Sequence, residues 1–156
     1  MNPDELQNRD VKFFDDVFSQ ISKNYNVDLD RIYAVGHSNG SRFVNVLWKM
    51  RPEKFAAFVT VAGPGGIWLK SAPQKSVWIS FGKNDKIVPY KIQKFSSKQY
   101  LKFFEANEST AQTNGEITSY ETSENKEIII EDRNAGHEFP QNSIPKMVEF
   151  LKRNLR

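Results

Sequence analysis

The stretch Arg31-Ile32-Tyr33-Ala34-Val35-Gly36-His37-Ser38-Asn39-Gly40 decides how this sequence is read. Its first half ends in a short uncharged run, Ile32 to Val35, rich in strand formers. Such runs suit strands that are covered on both faces, as in a parallel sheet. The second half is G-x-S-x-G, and a helical pattern follows it over residues 39–50, with Phe43, Val44, Leu47 and Trp48 on one face. A strand that turns through this pentapeptide straight into a helix leaves the serine hydroxyl exposed at the tip. Gly36 and Gly40 are expected to remove side chains that would collide where strand and helix meet. Ser38 is then a candidate nucleophile, and the backbone amide of Asn39 points to where an oxyanion would form. A serine between glycines is also a common turn residue. The strand before it and the helix after it favour the nucleophile.

Working outward, residues 10–25 predict a helix, because Phe14, Val17, Phe18, Ile21 and Tyr25 form one stripe and Asp10 can cap its start. Residues 55–62 and 76–81 read as buried strands, closed by Gly63-Pro64-Gly65-Gly66 and by Gly82. A helix is expected over 96–107, a polar loop over 108–115 and a short extended piece over 116–121. A strand around Ile128-Ile129-Ile130 covers 126–131, and an amphipathic helix over 143–156 closes the chain. Strands alternating with helices give an α/β fold, a parallel sheet of about four strands flanked by helices, in a single domain spanning 1–156.

Composition narrows the chemistry. The 156 residues include no cysteine and only two histidines, His37 and His137. Thiolate metal sites are therefore excluded, zinc is nearly so, and imidazole chemistry falls on two positions. No phosphate loop is present, since the Gly63–Gly66 cluster lacks both nucleotide spacings, and no cofactor is implied. The net charge is +3, unevenly spread. Residues 70–102 hold eight lysines and one acid, Asp85, whereas residues 105–132 hold eight acids and one lysine, Lys126. Lys91, Lys94, Lys98 and Lys102 would share one helix face. Without a nucleic-acid motif, that face reads as solvated, so neither nucleic acid nor membrane is expected as a partner. Met1 is followed by Asn2-Pro3-Asp4-Glu5, which is no leader pattern, and localisation stays open.

In open parallel sheets, ligands sit beyond the carboxyl ends of the strands. Ser38 lies past one predicted strand, Asp85 past the next but one, in Gly82-Lys83-Asn84-Asp85, and His137 past the last, in Asn134-Ala135-Gly136-His137. The order nucleophile, acid, base and the shared sheet edge make these the candidate catalytic residues. Asp132, near the end of the last strand, rivals Asp85. His37 rivals His137 poorly, because a neighbour of Ser38 in a tight turn cannot fold back onto it.

These residues resemble the α/β-hydrolases, and within them the esterases grouped with polyhydroxybutyrate depolymerases and feruloyl or acetylxylan esterases. The likeness runs over residues 10–150. It rests on the helix through Phe13-Phe14-Asp15-Asp16-Val17, on Gly-His-Ser-Asn-Gly, on Asp85-Lys86-Ile87-Val88-Pro89-Tyr90 and on Gly136-His137-Glu138-Phe139-Pro140. The resemblance implies ester hydrolysis, with Ser38 as nucleophile, Asp85 as acid and His137 as base. It also implies strands ahead of residue 10 that would supply the sheet centre and a second oxyanion donor. The chain is accordingly expected to be a C-terminal portion, a misjudged start or a reduced variant. Two alternatives stay open: a peptidase of the same fold, and an inactive half-hydrolase that binds a partner. The strand 31–35, uncharged from Ile32 to Val35, is expected to form an unprotected edge and, with the adjacent helices, to drive self-association to a dimer.

Overall fold

The computed structural model describes residues 9–156, so the leader reading of residues 1–5 lies outside them. Along the chain run α1 (Arg9–Asn24), β1 (Tyr33–His37), α2 (Asn39–Met50), β2 (Ala57–Val61), β3 (Ser76–Gly82), α3 (Tyr90–Phe103), β4 (Ala106–Asn114), β5 (Ile117–Thr122), β6 (Glu127–Arg133) and α4 (Ile144–Arg153). The strands form one sheet in the order β1-β2-β3-β6-β5-β4. β1, β2, β3 and β6 are parallel, as the apolar runs predict. β5 lies antiparallel on β6, and β4 antiparallel on β5.

The sheet thus has six strands rather than about four. The expected polar loop over 108–115 is largely β4. Its sequence, Ala-Asn-Glu-Ser-Thr-Ala-Gln-Thr-Asn, has no buried position and so no alternation to betray a strand. The hairpin turns at Gly115, whose φ of 63° suits glycine. α3 starts at Tyr90, directly after Pro89, and not near residue 96. Its first turns carry Ile92 and Phe95 on the outside, which hides the amphipathic stripe there. Lys91, Lys94, Lys98 and Lys102 do share its exposed side. Asp10 lies inside the first turn of α1 rather than capping it, where its charge still favours the helix N-terminus.

Two rows of side chains cross the parallel strands. Ala34, Phe58, Val77 and Ile128 face α2 and α3. Val35, Val59, Trp78 and Ile129 face the other way, where Val59, Trp78 and Ile129 meet Met147 and Phe150 of α4. On the first face Trp48 lies between Phe58 and Phe104, with ring centroids at 4.7 and 4.8 Å. α1 joins this layer through Phe14, stacked on Phe55 at 5.4 Å, and through Asp15, which accepts from Arg51 Nε at 2.9 Å and from its second guanidinium nitrogen at 2.6 Å. The predicted α1 stripe is only partly buried, and Val17, Ile21 and Tyr25 are exposed.

Among the described residues, β1 is an edge strand. The carbonyl of Ile32 accepts from Ala56 N–H, and Ser38 N–H donates to Val61 O, so the even positions bond towards β2. The backbone groups of Tyr33 and Val35 therefore point to the open side.

Candidate active site

β1 ends at His37, and α2 begins at Asn39, leaving Ser38 alone at the turn with φ 56° and ψ −116°. A non-glycine residue in that region is strained and is held by its surroundings. Here Ser38 N–H donates to Val61 O at 2.8 Å. Buried Ser41 accepts from Val61 N–H at 2.7 Å and lies 2.7 Å from Gly36 O. Gly36 is required, because a Cβ there would strike the backbone of Gly40. Gly40 itself faces open space, against the expectation that both glycines relieve a clash. The second close approach is at Gly63, where a Cβ would strike the carbonyl of Ser38.

Asp85 and His137 come from the loops after β3 and β6. Asp85 Oδ1 accepts from the backbone N–H groups of Ile87 at 2.8 Å and Val88 at 2.9 Å. Its Oδ2 accepts from Gln93 Nε2 at 2.9 Å and from His137 Nδ1 at 2.8 Å. Burial pushes the Asp85 pKa up, but these bonds, led by that from His137, outweigh it, and the carboxyl is held below its ordinary value. An ionised carboxylate only accepts, so the proton of a neutral His137 ring sits on Nδ1. Nε2 is then a free acceptor, and Ser38 Oγ lies 2.9 Å from it. Three side chains predicted from separate loops thus form one hydrogen-bonded series, Ser38, His137, Asp85. The rival Asp132 is turned elsewhere, accepting from Tyr90 OH at 2.8 Å with Lys94 Nζ at 3.8 Å.

The loop that carries His137 is tied to its strands. Asn84 N–H donates to Ala135 O at 2.9 Å, and Arg133 donates to Ser80 Oγ at 3.0 Å and Glu138 O at 2.8 Å. His37 does not reach Ser38. Its Nε2 lies 2.6 Å from the carbonyl of His137. Asn39 opens α2, and the first N–H groups of a helix have no intrahelical acceptor. That leaves the Asn39 amide available to an anion, whereas the Ser38 amide is spent on Val61. Ser41, Gly63 and Gln93 were not among the expected site residues. Ser41 and Gln93 act through tertiary hydrogen bonds that no local spacing announces. Among the described residues, no cluster of three or more acidic, His or Cys side chains could hold a metal, and no helix is long and apolar enough to cross a membrane.

The sequence profile of the prolyl oligopeptidase family matches residues 4–111. The chain belongs to the prolyl oligopeptidase family. Among curated proteins, this family member is 37% identical over 60 residues to the probable acetylxylan esterase A of Aspergillus flavus, a stretch that covers 38% of the chain and 20% of that protein. It is 30% identical over 94 residues to a bifunctional acetylxylan esterase/xylanase of Neocallimastix patriciarum, 59% of the chain and 14% of that protein. The matched stretches thus span a fifth or less of these relatives. Its fold superposes on an acetyl xylan esterase from Aspergillus awamori with a TM-score of 0.66 at 18% identity, covering 87% of the chain and 64% of that one. The Bacillus cereus carboxylesterase gives 0.62 at 18% identity, covering 91% and 58%. The architecture is that of an α/β-hydrolase.

Proposed function

We propose that this family member is a serine-dependent hydrolase of carboxylic esters, and one observation carries the reading: Ser38 Oγ, His137 Nε2, His137 Nδ1 and Asp85 Oδ2 form an unbroken series of hydrogen-bond distances, 2.9 and 2.8 Å. In this reading Ser38 Oγ bonds to the acyl carbon as its proton passes to His137 Nε2. The carbonyl oxygen becomes an oxyanion, to which Asn39 N–H donates. Asp85 stays ionised, keeps the ring in the required tautomer and stabilises the imidazolium. When the tetrahedral intermediate collapses, the bond to the alcohol oxygen breaks and His137 returns the proton to it. Water then releases the acid from Ser38 by the same steps. Losing one oxyanion donor typically costs about 100- to 1000-fold in rate, so a site with Asn39 alone would still be measurably active.

The sequence relatives are acetylxylan esterases by name, which supports short acyl esters on a polysaccharide ahead of feruloyl or polyhydroxybutyrate substrates. The family description favours a second reading, a peptidase, whose triad would be the same. A fluorophosphonate followed by paired chromogenic substrates tests both. Wild-type protein labelled at Ser38, with faster release from p-nitrophenyl acetate than from a peptide p-nitroanilide, is the expected result. The reverse preference would establish the peptidase, and absence of labelling would leave a non-catalytic module.

A further inference from the structure

His37 stands next to the nucleophile in sequence, yet its side chain points to the base. Its Nε2 lies 2.6 Å from the backbone carbonyl of His137, and the two imidazole rings are 4.9 Å apart at 50°. On its other side, Phe139 presents an edge at 6.2 Å. A carbonyl oxygen can only accept, so His37 Nε2 carries a proton and donates. We infer that His37 is a positioning residue for the base, joining the loop that carries His137 to the strand end that carries Ser38. This inference rests on the triad reading above.

The reason is mechanical. Ser38 is fixed from below by the Val61 carbonyl and by buried Ser41. The base loop is fixed on β3 and β6, two and three strands away in the sheet, by Asn84 and Arg133. The sheet alone would set the distance between the two through β2 and its neighbours. The His37 bond closes the gap directly. Its donor belongs to the residue bonded to the nucleophile, and its acceptor is the backbone of the base itself. The imidazole of His137 is then held at its backbone by His37 and at Nδ1 by Asp85, which leaves Nε2 little freedom except towards Ser38 Oγ. Reactions of this kind are sensitive to displacements well under an ångström in such a pair.

Three substitutions separate the donor from the ring. His37→Gln places an amide donor near the position of Nε2, His37→Phe keeps the ring and removes the donor, and His37→Asn is polar but too short to reach. His37→Phe and His37→Asn are expected to lower kcat on p-nitrophenyl acetate about tenfold, or about 1.4 kcal/mol, with KM within about twofold. The rate of fluorophosphonate labelling should fall by the same factor, and His37→Gln should recover most of both. In proton NMR, the low-field His137 Nδ1–H resonance should be sharp in wild type and in His37→Gln and broadened in the other two. Equal rates in wild type, Phe and Asn variants, or a Gln variant as impaired as Phe, would overturn the inference while leaving the hydrolase reading intact. If wild-type protein neither labels nor turns over, that reading fails, and the resonance alone decides. Broadening in the Phe and Asn variants then supports the positioning role, and an unchanged resonance sinks it.

Discussion

The parallel strands and the antiparallel hairpin share one sheet but follow different rules. β2 and β3 are buried at every position, whereas β4 is buried at none. Ser38, Asp85 and His137 all follow parallel strands, whereas the hairpin supplies none of the three and touches their loops through Glu116 at its turn, which accepts from Asn134 N–H. Parallel strands are covered by helices on both faces, so their sequences must be apolar and their carboxyl ends come together on one edge. The hairpin instead closes the β6 side with a polar strand whose register shifts between Asn107 and Gln112. Irregularity and polarity blunt an edge. β1, at the other end, has neither, and Val35 is 52% exposed there. Among the described residues, one sheet therefore has a guarded edge and a bare one.

That contrast can be broken first at the site. On the mechanism proposed above, Ser38→Ala should lower kcat by at least about 1000-fold, since removing one member of such a unit disables it. Its melting temperature should stay near that of wild type, and a comparable loss from Gln112→Ala on β4 would erase the distinction between the halves.

The next largest effect lies in the packed layer over the parallel strands. Trp48 is fully buried between two aromatic rings. Trp48→Ala should cost about 3 to 5 kcal/mol in urea unfolding. Substitutions at exposed positions of β4 should stay within about 0.5 kcal/mol.

A smaller effect depends on pH. The native Asp85 carboxyl binds its proton more weakly than the unfolded one, so its contribution is present above the ordinary carboxylate pKa. It is lost as pH falls through the lower native value. Asp85→Asn should therefore be less stable than wild type at neutral pH by about 1 to 2 kcal/mol. The two should converge on acidification, as followed by urea midpoints. A gap that widens on the acid side would reverse the assigned direction of the shift.

The edges themselves supply the mildest test of the monomer and the sharpest of assembly. Light scattering on this chain is expected to show self-association. Val35→Lys on β1 should abolish it with little change in stability, whereas Gln112→Lys on β4 should leave it intact. A monodisperse 18.0 kDa particle for the wild-type chain at tens of micromolar would overturn that expectation.

The parallel half was legible because each of its strands is an apolar run stopped by glycine or by a polar turn. Asp85 and His137 could be singled out because residues past the carboxyl ends of such strands gather on one edge, where the two now lie 2.8 Å apart. β4 was not legible, since a solvated edge strand needs no pattern. The start of α3 was hidden because Ile92 and Phe95 face outward. Gly40 was assigned a steric role that belongs to Gly63, a residue well beyond the pentapeptide and close to it only in the folded chain. Gln93 and Ser41 were missed for the same reason: their partners are set by tertiary contact.

The hydrogen-bonded series Ser38, His137, Asp85 has a consequence for the order of folding. Its two hydrogen bonds join residues 99 and 52 positions apart. Contacts of such sequence separation bear the full cost of loop closure before they return anything, so they form late. α1, α2 and the β4–β5 hairpin close over short spans and can form early. A refolding chain will therefore regain its helical signal before it regains the Ser38–His137–Asp85 series, and a cut between Ser38 and His137 that frees the pieces breaks that series.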